Sequence, residues 1–148
     1  MRLVIQRVSE ASVTIDKNKT ASIAHGLLVL VGIEHEDNQD DIEWLVRKTC
    51  GMRIFNDVEG KMNKSVIDVA GELLIVSQFT LHASTKKGTR PSFIGAAKPD
   101  VAIPLYEEFV RKCREHISVQ TGKFGADMKI SLINDGPVTV FLDSKQKA

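Results

Sequence analysis

The stretch that most constrains the fold is Gly71 to Leu81, GELLIVSQFTL. Alternation along an extended chain puts Leu73, Ile75, Ser77 and Phe79 on one face and Leu74, Val76, Gln78 and Thr80 on the other. Apolar side chains on both faces at its start call for a strand covered on both sides. The chain then turns polar at Ser77-Gln78, so a buried strand delivers hydroxyl and amide groups to the place where its cover ends. The plain reading of that end is a strand running out into a polar turn. The functional reading is a site, because groups at the end of a rigid buried strand are held to tight geometry. A second stretch, Asn134-Asp135-Gly136-Pro137-Val138-Thr139, shifts the balance toward a site, as developed below.

The length of 148 residues fits a single domain, residues 1–148, with a core large enough to need no staples. Charged residues at 26% and hydrophobic ones at 43% are ordinary for a globular chain. A net charge of +1 argues against a large uniform basic surface and leaves room for a local one. Cys50 and Cys113 lie in apolar helical patterns without CxxC spacing, which reads as reduced core residues rather than a metal or redox site. MRLVIQRVSEASV alternates like a strand and lacks the continuous apolar core of a signal peptide, and no run reaches transmembrane length. The expectation is a cytoplasmic protein without membrane association.

Residues 2–16 read as one long strand or a bent pair, with Leu3, Ile5, Ala11, Val13 and Ile15 sharing a parity. An uninterrupted strand places Arg7 on that apolar face, where an unpartnered guanidinium costs several kcal/mol, roughly. A bulge at Ser9-Glu10 would turn Arg7 out. Otherwise it braces something from beneath. A polar turn at 16–19, a short strand at 20–24 and a buried strand at 26–33 follow. The carboxylates of Glu34–Glu43 lead into a helix over 39–50, where acidic residues favour the N-terminal dipole, so a solvated helix start explains them better than a metal cage. Ile42, Leu45, Val46 and Thr49 form its apolar stripe, and Gly51 is expected to close it as a C-cap. The segment from His82 to Phe93 reads as a polar loop without its own structure, carrying Lys86, Lys87 and Arg90. Such loops are uncommon in compact domains and often functional. Here the choice is a solvated face or a phosphate clamp. A second helix opens at Pro99-Asp100, with Val101, Leu105, Phe109, Cys113 and Ile117 as its buried stripe. Met128, Ile130 and Leu132 alternate in one strand and Val138, Val140 and Leu142 in another, and Asp135-Gly136 between them suggests a hairpin. The predicted fold class is α+β: a mainly antiparallel sheet, curled toward a barrel, with two helices.

No glycine-rich phosphate loop, HExxH or clustered Cys/His set is present, so no metal or cofactor is expected. The histidines, at 25, 35, 82 and 116, stand singly. His82 follows the central motif and is a conceivable general base, although a lone histidine at a loop start is more often a surface residue. Without an evident base, Ser77 and Thr80 are poor covalent nucleophiles. They serve better as donors that position a substrate or stabilise an oxyanion, together with backbone N–H groups near Phe79 and Thr80. Such a site suits an already activated substrate such as an ester.

SQFTL at 77–81 and the NxGPxT pattern of Asn134, Gly136, Pro137 and Thr139, about 55 residues apart, closely resemble the D-aminoacyl-tRNA deacylase family. The resemblance extends through MRLVIQRV at the start, KKGTRPSF at 86–93, TGKFGADM at 121–128 and the LD at 142–143, covering nearly the whole chain. It implies a homodimeric, metal-independent esterase that splits the bond between a D-amino acid and the terminal adenosine of tRNA, and clears glycine mischarged on tRNA(Ala). In that family the Gly-Pro dipeptide carries a cis peptide bond and enters the other subunit's site. Carried over, Gly136-Pro137 presents carbonyls to the substrate α-amino group and excludes an L side chain sterically, while D side chains and hydrogen pass. Ser77, Gln78, Phe79 and Thr80 match the catalytic pocket wall, Arg7 the arginine that braces the dipeptide, and Phe93 and Met128 pocket-lining positions. Lys86, Lys87 and Arg90 would meet acceptor-stem phosphates. His82 stands where the family motif requires no histidine. Two other classes compete: a tRNA-end binding module without turnover, and a general esterase with Thr80 as nucleophile. A covalent acyl-enzyme, trapped or absent, separates the last from the others.

Overall fold

The computed structural model describes residues 1–148. In chain order the elements are β1 (Arg2–Ile15), β2 (Asn18–Ile23), β3 (Gly26–Gly32), α1 (Gln39–Gly51), β4 (Phe55–Asn56) and β5 (Met62–Lys64). These are followed by β6 (Glu72–Ser77), a 3₁₀ turn (Phe79–His82), α2 (Pro99–Arg114), β7 (Val119–Thr121) and β8 (Lys129–Asp143). The strand on which the others are laid is β1. It runs antiparallel to β3 through residues 2–8, to β2 through residues 11–15, and to β8 along nearly its whole length. The sheet continues from β3 to β6 and from β6 to β7 in parallel. The sheet is thus mainly antiparallel, as expected, with a parallel far side whose neighbours need crossovers, which α1 and α2 supply. The Ser22 N–H donates to Gln120 Oε1 at 2.9 Å, drawing β2 toward β7, so the sheet curls nearly into a barrel.

Both faces of β6 are covered, as its sequence demands. Leu73 and Ile75 join Leu27, Val29, Val31 and the apolar sides of both helices in the larger core. Leu74 and Val76 join Leu28, Val8, Ala11 and Val13 in a smaller core inside the curl. The shared parity of Leu3, Ile5, Ala11 and Val13 thus does not mean a shared face. The pairing to β8 shifts register between Val8 and Glu10, and this bulge moves Ala11 and Val13 into the smaller core while Leu3 and Ile5 stay in the larger one. Gly26 is forced by close approach: a Cβ there would lie 1.9 Å from the Glu72 carbonyl oxygen of β6.

Asn38 caps α1 with a reciprocal capping box to Asp41. Gly51 is the last helical residue rather than a left-handed cap, and Met52 leaves the helix in extended conformation. The buried side of α2 is Ala102, Tyr106, Phe109, Val110 and Cys113. It is rotated from the expected stripe, with Val101 and Leu105 lying at its half-buried edge. Cys50 and Cys113 are free and buried between the helices, and their mutual hydrogen bond together with burial pushes up the Cys113 thiol. No helix is long and apolar enough to cross a membrane.

Candidate active site

The strand β6 ends at Ser77, earlier than strict alternation through Thr80 requires. The Gln78 N–H still donates to the Val31 carbonyl at 2.7 Å, and the chain then tightens into the 3₁₀ turn. Its hydrogen bonds run from Leu81 N–H to the Gln78 carbonyl (3.2 Å) and from Ala83 N–H to the Thr80 carbonyl (3.1 Å). The N–H groups of Phe79 and Thr80 precede the first of these and stay outside the turn's own bonding, as at any helical N-terminus. They are donors fixed by a rigid strand. The Gln78 side-chain amide donates to Thr80 Oγ1 at 2.6 Å, so the two polar side chains act as a unit.

Beside this turn lies a cleft of about 290 Å³. Ser77, Gln78 and Phe79 form one wall, and Phe124, Asp127 and Met128 of the loop before β8 form the facing wall. Ala97 and Ala102, at the start of α2, close it from the side. Phe79 is 56% exposed and meets Phe93 edge-on, with ring centroids 5.1 Å apart. The loop that delivers Phe93 is not structureless: Ser84 and Ser92 exchange two backbone hydrogen bonds of 2.8 Å. Lys86, Lys87 and Arg90 ride exposed on the segment so pinched off, and none has a carboxylate partner. Asp127 is the one titratable residue lining the cleft, and its carboxylate pairs with Lys129 at 3.2 Å. His82 does not line it. Against the surface expectation, His82 is buried beneath the turn with Nε2 unpartnered.

The second cluster lies elsewhere. In place of a hairpin, β8 is a single strand that pairs with β1 on both sides of an interruption. Val8 pairs with Asn134 and Gln6 with Thr139, so residues 135–138 bulge out opposite Arg7 alone. Two strands sharing one long partner keep their ladder through the interruption, which turn propensity alone does not reveal. Within the bulge, Asp135, Gly136 and Pro137 are exposed, and the Gly136-Pro137 peptide is cis. Gly136 has φ +132, where side chains are strained, and an added Cβ would sit 2.7 Å from Val138 Cγ2 and 2.9 Å from its backbone nitrogen.

Side chains hold this bulge. Arg7 is buried despite the neighbouring irregularity, and stays on the face of Leu3 and Ile5. Its Nε donates to the Asp135 carbonyl at 3.0 Å and its Nη1 to the Ile54 carbonyl at 2.7 Å, while the Asp135 carboxylate stands 3.6 Å away. The partners compensate its burial. Asn134 donates to the carbonyls of Arg7 and Val138, both at 3.0 Å, and accepts from the Thr139 hydroxyl at 3.3 Å. The residues singled out in the sequence therefore form two clusters, one at the end of β6 with Ser77, Gln78, Phe79, Thr80, Phe93 and Met128, the other on β1 and β8 with Arg7, Asn134, Gly136, Pro137 and Thr139. Arg7 pairs with Leu27 at one end of β3, and the cleft begins at Val31 near the other, four residues or roughly 13 Å away. The clusters do not meet within one chain. The sequence reading missed Phe124, Asp127, Ala97 and Ala102, and the Gly-Lys-Phe-Gly-Ala-Asp-Met run around the first two was the available signal.

Known proteins resemble this one along its whole length. A protein of Flavobacterium johnsoniae named D-aminoacyl-tRNA deacylase is 61% identical over 149 residues, covering 99% of each chain. Proteins of the same name from Christiangramia forsetii and Parabacteroides distasonis are 60% and 59% identical over the same span, again with 99% of each chain covered. A solved structure described as a c-Myc DNA unwinding element binding protein superposes with a TM-score of 0.92 at 41% identity, over 97% of this chain and 98% of the other. A probable eukaryotic D-amino acid tRNA deacylase shares the fold, with a TM-score of 0.81 at 18% identity over 95% and 97% of the two chains. The α+β fold and these relatives define the class, that of hydrolases of aminoacyl-tRNA esters. Within it the chain belongs to the D-Tyr-tRNA(Tyr) deacylase family, whose model matches residues 4–143.

Proposed function

We propose that the chain removes D-amino acids, and glycine mischarged on tRNA(Ala), from the terminal adenosine of tRNA, and that two copies are needed to build each site. The observation that carries this reading is the separation of the clusters. The cleft has donors for an ester but no chiral filter. The Gly136-Pro137 bulge is braced and exposed but faces no cleft of its own. A second copy that inserts its bulge into the first copy's cleft completes both.

In this site the ester carbonyl lies against the N–H groups of Phe79 and Thr80 and the Thr80 hydroxyl, which keeps its proton to donate while it accepts from Gln78. These donors stabilise the oxyanion as water adds. The 2′-OH of the terminal ribose takes part in activating that water, and the tetrahedral intermediate collapses with departure of the 3′ oxygen, which takes up a proton. The cleft's composition supports this course over nucleophilic attack by Thr80. It holds no histidine, cysteine, lysine or arginine, and Thr80 Oγ1 is engaged by Gln78. The dipeptide carbonyls of the second copy hold the α-ammonium group, so an L side chain meets backbone and a D side chain or hydrogen does not. Exclusion by backbone acts on every L residue alike. Phe79 and Phe93 offer aromatic surface to the terminal base, and Lys86, Lys87 and Arg90 meet the acceptor-stem phosphates. The reaction belongs where aminoacyl-tRNA is made and used, in the cytoplasm.

The test is single-turnover deacylation of matched D-Tyr-tRNA and L-Tyr-tRNA, with sedimentation of the same preparation. Rapid loss of the D ester, an intact L ester and a dimeric species are expected. Equal hydrolysis of the two esters, or full activity from a monomer, would overturn the two-copy site.

A further inference from the structure

We propose that Arg2, held in place by Asp143, is a positioning residue for the reaction, acting through the Leu81 carbonyl on the 3₁₀ turn. The guanidinium of Arg2 donates from Nη1 to the Leu81 carbonyl at 2.9 Å and from Nε to Asp143 Oδ2 at 3.1 Å. The other oxygen of Asp143 accepts the Lys145 N–H at 2.9 Å, so the carboxylate is anchored before it meets Arg2. Sheet register explains the arrangement. Arg2 is the pairing partner of Gly32 on β3 and of Asp143 on β8. Gly32 is the bare floor on which the turn rests: a Cβ there would lie 2.9 Å from Leu81 Cβ and 3.1 Å from both the Gln78 carbonyl oxygen and His82 Cδ2. The missing side chain lets the turn settle onto β3, and Arg2 reaches across the same gap to clamp it.

The Leu81 carbonyl is one of those at the C-terminal end of a short helical turn that lack an internal partner. A charged donor makes the strongest hydrogen bond available to it. The plain alternative is a partly exposed ion pair of little energetic consequence, since the Arg2 side chain is 33% exposed. Positioning does not require a large stability contribution. The Phe79 and Thr80 N–H groups lie within two residues of the clamped carbonyl, and a misplacement of about 1 Å at a reacting centre costs about 100-fold in rate. Arg2 touches neither the cleft nor a substrate in it, so its loss should act on the rate of the bound complex and leave affinity nearly unchanged.

This inference rests on the reading that the Ser77–Thr80 end of β6 carries the reaction. The experiment measures single-turnover D-Tyr-tRNA deacylation across enzyme concentration, with thermal melting, for Arg2→Met, Arg2→Lys, Asp143→Asn and the exchange Arg2→Asp with Asp143→Arg. Thr80→Val and Gln78→Ala run alongside. Expected for Arg2→Met is a saturating rate about tenfold lower or worse, with half-saturation within about twofold and the protein folded. Arg2→Lys recovers part of the rate, because it keeps a charged donor. The exchange keeps an ion pair between positions 2 and 143 but does not restore the rate, since a carboxylate in place of the guanidinium has nothing to donate to the Leu81 carbonyl. A full rate in folded Arg2→Met, or an exchange that restores the rate, overturns the proposal. If Arg2→Met does not fold, Arg2→Lys and the exchange carry the same decision. Full rates in both Thr80→Val and Gln78→Ala would instead overturn the site reading beneath it.

Discussion

The turn after β6 and the bulge in β8 are both short departures from a strand, yet they are built in opposite ways. At the turn the backbone is the frame, and the side chains are displayed on it beside the free N–H groups of Phe79 and Thr80. Gln78, Leu81 and Ala83 donate main-chain hydrogen bonds, while Thr80 and Phe79 stand exposed. At the bulge the side chains of Arg7 and Asn134 are the frame, and backbone at Gly136-Pro137 is the display. The difference teaches where each region is vulnerable. A side-chain substitution at the turn removes chemistry and leaves the frame standing. At the bulge it removes the frame.

The strongest test of that contrast is Gly136→Ala. The added Cβ meets Val138 backbone at 2.9 Å in a conformation that side chains rarely adopt, so the displayed backbone must shift. A fall of about 100-fold in single-turnover loss of D-Tyr-tRNA is expected, with the cleft itself unaltered. An unimpaired rate would remove the bulge from the site.

A third kind of anchor holds the C-terminal end of β8. Beyond Asp143 the chain is tied down by charge. Burial pushes the Asp41 carboxyl up, but hydrogen bonds from Ser144, Lys145 and the Asn38 N–H outweigh it and hold the group at about 2. Burial likewise raises Asp143, and the Lys145 N–H and Arg2 bring it below the usual carboxylate range. With folded values below unfolded ones, this stability is present above about pH 4 and is lost as pH falls from there toward 2. Asp41 alone contributes about 2 kcal/mol at neutral pH, a factor of roughly 30 in the folding equilibrium. Urea titrations of Asp41→Asn should match the parent near pH 2 and fall short of it by that amount at pH 7. An equal deficit at both pH values would mean that the substitution acts through packing rather than charge.

At the turn, Thr80→Val keeps the shape and removes the hydroxyl. A rate about tenfold lower is expected, with stability within about 0.5 kcal/mol of the parent, as for a surface substitution. A large stability loss here would break the contrast with the bulge, because it would make Thr80 part of the frame.

The same contrast governs what can be read from the sequence. Residues 71–77 announce a strand covered on both faces because hydrophobic pattern reports burial, and both cores confirm it. The 3₁₀ turn is hidden, since Phe79-Thr80-Leu81 continues a plausible alternation and only Gly32, distant in sequence, makes room for the tighter path. The bulge reads as a hairpin because Asp-Gly propensity is local, whereas a strand laid along a single long partner is a tertiary fact. Arg7 is legible as a problem, a charge on an apolar face. Its solution needs the Ile54 and Asp135 carbonyls, which no pattern links to it. His82 reads as a surface residue for a similar reason: nothing beside it in sequence tells that the turn folds it under.

The smallest effects should come from the pinched loop, which shares neither kind of frame. Lys86, Lys87 and Arg90 are exposed and unpaired, so their charge is free for phosphate, and their removal disturbs no buried partner. Alanine at any one of them should weaken tRNA binding a few-fold near physiological salt. Each should also reduce the slope of log affinity against log salt by about 1 if that residue neutralises one phosphate. The saturating deacylation rate and the D over L preference should stay as in the parent, because phosphate contacts position the substrate and carry no chiral information. The readout is half-saturation in single-turnover reactions at a series of salt concentrations. An unchanged salt slope in every one of these variants would return this loop to an ordinary solvated surface. A changed D over L preference would show that these cations reach the cleft itself and do more than hold phosphate.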